Sequence, residues 1–149
     1  MDVSVRLDEP HVIACFAAEA RMSCPRPLVL ARVPAGFPSP ADDYTDGQLD
    51  LNELLIQRPE ATFFVRVEGD SMVGAGIHSG DLLIVDRSAE ATGGEVVVAA
   101  IDGELTVKRV CRRDGALWLV AENDAYPPIE VTTELVIWGV VEHVIHKVE

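Results

Sequence analysis

From residue 62 onward apolar and polar positions alternate, and Val and Ile dominate the apolar ones. This period of two predicts strands at residues 62–67, 82–86, 95–101, 105–110, 117–121 and 135–145. Glycines punctuate the gaps at Gly69, Gly74, Gly76, Gly80 and Gly93-Gly94. Asp102-Gly103 and Asp114-Gly115 are tight-hairpin signals, because a two-residue hairpin loop needs residues that tolerate positive φ. Helical spacing appears in LDLNELLI at residues 49–56, with Asp50 as candidate N-cap and Pro59 beyond the end. A second short helix is expected around residues 11–21, before Pro25, Pro27 and Pro34 break regular structure. Residues 1–34 therefore read as a loosely attached arm, followed by an extended linker at residues 34–40, where Pro34, Pro38 and Pro40 straighten the chain. The expected fold class is mainly β: a compact, highly twisted, partly closed antiparallel fold with one short helix and an extended N-terminal arm. No internal repeat, low-complexity tract or helix-turn-helix pattern is visible.

Composition narrows the function classes. A chain of 149 residues, 48% of them hydrophobic, supports one buried core plus an arm. The longest apolar runs, such as residues 136–141, fall far short of the roughly 20 residues that cross a bilayer, so no membrane partner is expected. Residues 12–20 have the apolar character of a signal segment, but Asp2, Asp8 and Glu9 replace the positive residues that secretion requires. Cys15, Cys24 and Cys111 are odd in number and lack C-x-x-C spacing, which fits neither a disulfide framework nor a zinc site and points to the cytoplasm. His143 and His146 lie three apart in a predicted strand, where alternate residues face opposite ways, so no metal site is expected and no cofactor is implied. Charge is unevenly spread: Arg6, Arg21, Arg26 and Arg32 balance Asp2, Asp8, Glu9 and Glu19, leaving the whole net charge of −13 on residues 36–149. A body that acidic is repelled by phosphate backbones, so protein partners are expected and direct DNA binding is not.

Two residues carry candidate chemistry. Ser71, in Gly69-Asp70-Ser71-Met72, follows the strand ending near Val67 and so stands in a turn at a strand end. Alone, a serine in a glycine-bounded turn reads as a turn-former. Lys108 interrupts the strand Leu105-Thr106-Val107-Lys108-Arg109-Val110, sharing one face with Thr106 and Val110 while Arg109 shares the other with Val107 and Cys111. On a polar face Lys108 is a solvated lysine. On an inner face desolvation favours its neutral amine, which can take a proton from a serine hydroxyl, the Ser-Lys form of nucleophilic catalysis.

A family resemblance joins these signals. Residues 37–44 (FPSPADDY), 50–56 (DLNELLI), 69–72 (GDSM), 80–86 (GDLLIVD), 102–104 (DGE), 106–108 (TVK) and 139–141 (GVV) resemble the UmuD family, in that order and with similar gaps. The likeness spans roughly residues 27–146. That family shares its protease domain with LexA and phage repressors, whose Ser-Lys dyads cut a small-residue/Gly bond when a RecA filament on single-stranded DNA promotes the reaction. The resemblance implies Ser71 as nucleophile, Lys108 as general base and Ala35-Gly36 as the scissile bond, dividing the chain into a removable arm, residues 1–35, and a protease and polymerase-binding domain, residues 36–149. Ala35 stands where UmuD has a cysteine; the Ala-Gly bond is the LexA and phage-repressor form. Backbone N–H groups of Asp70, Ser71 and Met72 are the candidate oxyanion donors. A homodimeric product serving an error-prone Y-family polymerase of the UmuC type is implied. A repressor would need a helix-turn-helix module ahead of the cut, for which residues 1–35 leave little room. Two other readings stay open: a polymerase or RecA accessory module that never self-cleaves, and a signal peptidase with a similar dyad, which needs a membrane anchor.

Overall fold

The β-branched, alternating runs form strands close to where their pattern places them. The structure, a computed structural model, describes residues 11–17, 23–29, 45–122, 126–132 and 135–148. Along the chain come β1 (His11–Ala17), β2 (Arg26–Val29), β3 (Thr45–Leu49), α1 (Leu51–Leu55), β4 (Thr62–Glu68), β5 (Leu82–Asp86), β6 (Val96–Ile101), β7 (Glu104–Arg113), β8 (Ala116–Val120), β9 (Ile129–Glu130) and β10 (Val136–Ile145). They belong to two compact units, one of Met1–Ala18 with Arg58–Glu149 and one of Glu19–Gln57. Among the described residues no helix is long and apolar enough to cross a membrane.

In the larger unit, strands pair antiparallel in the order β1-β4-β5-β10-β6-β7-β8-β9. β1 also pairs with β7 through His11 and Thr106, so the ladder from β1 to β7 closes on itself and β8 and β9 extend from it. Closure leaves fewer exposed edges, the liability of any open antiparallel sheet. Both predicted hairpins are present: φ is 50° at Asp102 and 81° at Gly103, and 51° at Asp114 and 78° at Gly115. Positive φ at both central residues matches the right-handed twist of the flanking strands. Alternation along β6 and β7 sorts their side chains into two buried clusters. Val98 and Val107 join Val65, Val67, Met72, Ile77, Leu83 and Val85, while Val97, Ala99 and Val110 join Leu119 and Val140.

The N-terminal segment corrects the expectation drawn from its sequence. Residues 11–17 form a strand rather than the start of a helix, registered on β4 from His11↔Glu68 to Ala17↔Phe63 with an irregularity between Val12 and Ala14. Val12, Ile13 and Phe16 favour strand over helix, and β4 offers an edge that this segment can hydrogen-bond along its length. The linker predicted at residues 34–40 lies outside the described residues.

In the smaller unit β2 pairs antiparallel with β3, and Asp50 caps α1 as its position predicts. Asp50 accepts hydrogen bonds from Cys24 N at 3.0 Å, Ser23 Oγ at 2.9 Å and Asn52 N at 2.9 Å. The Cys24 amide, with Ser23, holds its carboxyl below the usual carboxylate range.

Asp86, only 2% exposed at the end of β5, gives the larger unit an acid-sensitive joint. Burial alone raises its pKa, but hydrogen bonds from Ser88 Oγ at 2.6 Å and Ser88 N at 2.7 Å, with Arg58 Nη1 at 3.0 Å, prevail and lower it. A lowered folded-state pKa contributes stability above the unfolded value, about 3.9, and that stability is lost as pH falls through the folded value. Asp86→Asn should therefore cost about 1–3 kcal/mol at pH 7, and in urea unfolding the gap to the parent should narrow below about pH 4. A gap that stays constant into acid would show that the charge is not what matters.

Candidate active site

β4 delivers the chain to a turn that departs and returns at fixed points. Val67 N donates to Asp81 O at 3.1 Å and Gly80 N donates back to Val67 O at 2.8 Å, pinning the base of the excursion that carries Ser71. Gly69, at φ 108°, turns the chain out of the strand, a conformation that costs glycine little. Inside the turn Val73 N donates to Asp70 O at 3.2 Å, and Ala75 N and Ile77 N donate to Met72 O at 3.0 and 3.2 Å. Those carbonyls are thus occupied within the turn. Among the described residues, the N–H groups of Asp70, Ser71 and Met72 donate to no carbonyl. Met72, fully buried in the first cluster, anchors the turn beside Ser71.

Ser71 is itself fully buried, and among the described residues its Oγ has no hydrogen-bond partner. A buried hydroxyl left unpaired costs about 1–3 kcal/mol, which a serine kept only to form a turn has no reason to incur.

Lys108 sits on β7 opposite Val97 of β6, and paired residues in an antiparallel ladder face the same way. Its face is therefore the one that carries Val97 and Val110 of the second cluster. The sequence left open whether that face is solvated. It is not: Lys108 is 3% exposed and Thr106, on the same face, 7%. A buried lysine is rare in folded proteins. The ring of Tyr126 lies over Lys108, its centroid 5.3 Å from Nζ.

Several contacts bring the Ser71 turn and the Lys108 strand into one neighbourhood. Met72 and Val107, each adjacent in sequence to a candidate residue, belong to the same buried cluster. Gly74 lies so close to the backbone of Glu122 that a Cβ there would stand 2.9 Å from its carbonyl oxygen. Glu122 in turn accepts a hydrogen bond from Nε of Arg109, next to Lys108. At β1, His11 pairs with both Glu68 and Thr106, so one strand spans the ends from which the two segments continue. Ser71 Oγ and Lys108 Nζ are not hydrogen-bonded to each other. Catalytic hydrogen bonds commonly tighten only when substrate is in place. Ala35 and Gly36 lie outside the described residues.

Gly74, Glu122 and Tyr126 did not stand out in the sequence. Gly74 sits among other glycines, and Glu122 is 13 positions from the Arg109 it contacts, across a hairpin whose register no local pattern reveals.

The Peptidase S24-like family model matches residues 27–142, a span that holds both Ser71 and Lys108. The chain is 52% identical to Protein SamA of Salmonella typhimurium over 121 residues, covering 81% of this chain and 85% of that one. It is 47% identical to Protein MucA of Escherichia coli over 120 residues, 78% of this chain and 82% of that one. Against the LexA repressor of Ectopseudomonas mendocina identity is 42% over 122 residues, 80% of this chain but 59% of the repressor. With a mainly antiparallel β fold, a buried serine turn and a family match over most of its length, this chain belongs to the Peptidase S24-like family.

Proposed function

We propose that this chain is a self-cleaving serine peptidase of SOS mutagenesis that removes its own residues 1–35. The observation that supports the reading is a fully buried Ser71 hydroxyl without a hydrogen-bond partner among the described residues, in the same unit of a peptidase-family fold as a buried Lys108. Burial of Lys108 disfavours its ammonium, and the reading requires the neutral amine to act as the base.

Lys108 Nζ then takes the Ser71 proton as Oγ attacks the Ala35 carbonyl carbon. N–H groups of the Asp70-Ser71-Met72 turn hold the oxyanion. Collapse breaks the bond from Ala35 C to Gly36 N, and the Lys108 ammonium returns its proton to the leaving Gly36 amine. Water, deprotonated by the same amine, hydrolyses the Ala35 ester on Ser71. Two small residues at the bond let an extended backbone approach the buried hydroxyl.

A RecA filament on single-stranded DNA promotes this reaction by favouring the arrangement in which residues 35 and 36 reach Ser71. The product, residues 36–149, acts in the cytoplasm as a homodimer that serves an error-prone Y-family polymerase of the UmuC type. Its charge of −13 keeps it from binding DNA directly. At pH 7, RecA with single-stranded DNA should accelerate the cut at least tenfold, and Gly36→Glu should block it because a charged side chain then separates backbone from hydroxyl. A filament without effect, or a Gly36→Glu chain cut at the parent rate, would favour an accessory module that never self-cleaves.

A further inference from the structure

His78, Asp81 and His146 converge at the foot of the Ser71 excursion, with one ligand atom from each lying within 4.8 Å of the others. Asp81 is 2% exposed and fixed in place: His78 N donates to Oδ2 at 2.8 Å and His146 Nδ1 lies 2.6 Å from Oδ1. The two imidazoles lie 4.9 Å apart between centroids with their planes tilted by 42°, and are half exposed, His78 at 51% and His146 at 48% of the side chain. We infer that these three residues form a divalent-cation site selective for borderline metals, Zn²⁺ foremost, separate from the Ser71 turn and unforeseen in the spacing of His143 and His146.

The donor set is two neutral imidazole nitrogens and one carboxylate oxygen, which suits zinc and leaves a fourth position to water. Tetrahedral zinc, with bonds of 2.0–2.2 Å, needs ligand atoms about 3.4 Å apart. His146 Nδ1 must withdraw from Asp81 Oδ1 by less than about 1 Å, and the one ligand atom from each residue, now within 4.8 Å of the others, must close by no more than about 1.4 Å. Half-exposed rings can make that adjustment while the buried carboxylate stays put. Asp81 leads into β5 and His146 follows β10, whose Ile145 pairs with Leu82. Bound metal would staple the end of β10 to the turn whose Gly80 closes on Val67. The site is thus a clamp on the excursion that presents Ser71, and its occupancy should raise Tm.

Titration of the whole chain with Zn²⁺ by calorimetry, and with Co²⁺ by absorption, tests the site. One Zn²⁺ per chain is expected, and the Co²⁺ spectrum should show tetrahedral ligand-field bands without thiolate charge transfer, which excludes Cys15, Cys24 and Cys111. His78→Ala and His146→Ala should each weaken binding at least tenfold. His146→Asn keeps a donor for Asp81 but lacks the imidazole, so it should retain the metal-free Tm and lose the metal. No binding, a thiolate band, or affinity unchanged in either alanine variant would overturn the assignment.

Discussion

Ser71→Ala and Lys108→Ala should each reduce self-cleavage by at least a thousandfold while leaving the fold intact. Loss of a positioned acid or base alone costs about 10²–10⁴ in rate, and residues that act as a unit are not additive, so the double variant should be no slower than the single ones. Stability should move the other way for serine. Ser71→Ala removes an unpaired buried hydroxyl and is expected to raise stability by about 1–3 kcal/mol. An inactive yet more stable variant is hard to explain unless the hydroxyl is kept for chemistry. Lys108→Arg is the sharper control, because arginine retains charge and length but stays protonated near neutrality and cannot accept the serine proton. A Lys108→Ala chain that cleaves at the parent rate would remove Lys108 from the role of base.

The pH profile should be just as large an effect. On the proposed mechanism the neutral fraction of Lys108 limits the rate without a filament. If Lys108 is the base, that fraction grows about tenfold per pH unit until pH passes the pKa of its amine, about 10.4 for a free lysine and lower where burial disfavours the ammonium. Cleavage should therefore climb steeply from pH 7 and level off before pH reaches that free value. A carboxylate or histidine base is already deprotonated above about pH 8 and would give a flat profile there. The plateau should fall to lower pH when the filament is added, because a docked arm excludes the remaining water from Lys108. A profile flat from pH 7 upward would sink the lysine mechanism even with both alanine variants inactive.

The strands were legible because each is a local pattern. Residues 82–86 alternate little, yet their Val and Ile content and flanking Gly80 and Arg87-Ser88 bound β5 at both ends. Asp102-Gly103 and Asp114-Gly115 needed nothing beyond their own φ preferences. Asp50 was readable as a cap for the same reason. What failed was whatever depends on a distant partner. HVIACFA was read as helical because its apolar residues satisfy either period, and the β4 edge that decides the matter lies some 50 residues away in sequence, as His11↔Glu68 shows. The burial of Lys108 was visible only as a conditional, since alternation gives two faces without saying which is covered. His146 meets Asp81 across 65 positions, a contact that no spacing rule reaches. Prolines at 25 and 27 argued against strand, yet Arg26–Val29 pairs with β3, an arrangement open to proline where its missing N–H is not needed by the ladder.

The most direct test of the central claim is the intact mass of the purified chain during alkaline incubation, with Ser71→Ala run in parallel. The account predicts two products, residues 1–35 and a larger one beginning at Gly36, formed at a rate independent of added protease inhibitors that act only on histidine-dependent enzymes, and absent from the Ser71→Ala sample. An unchanged mass, a larger product beginning elsewhere, such as after Ala20, or the same products from Ser71→Ala would contradict it.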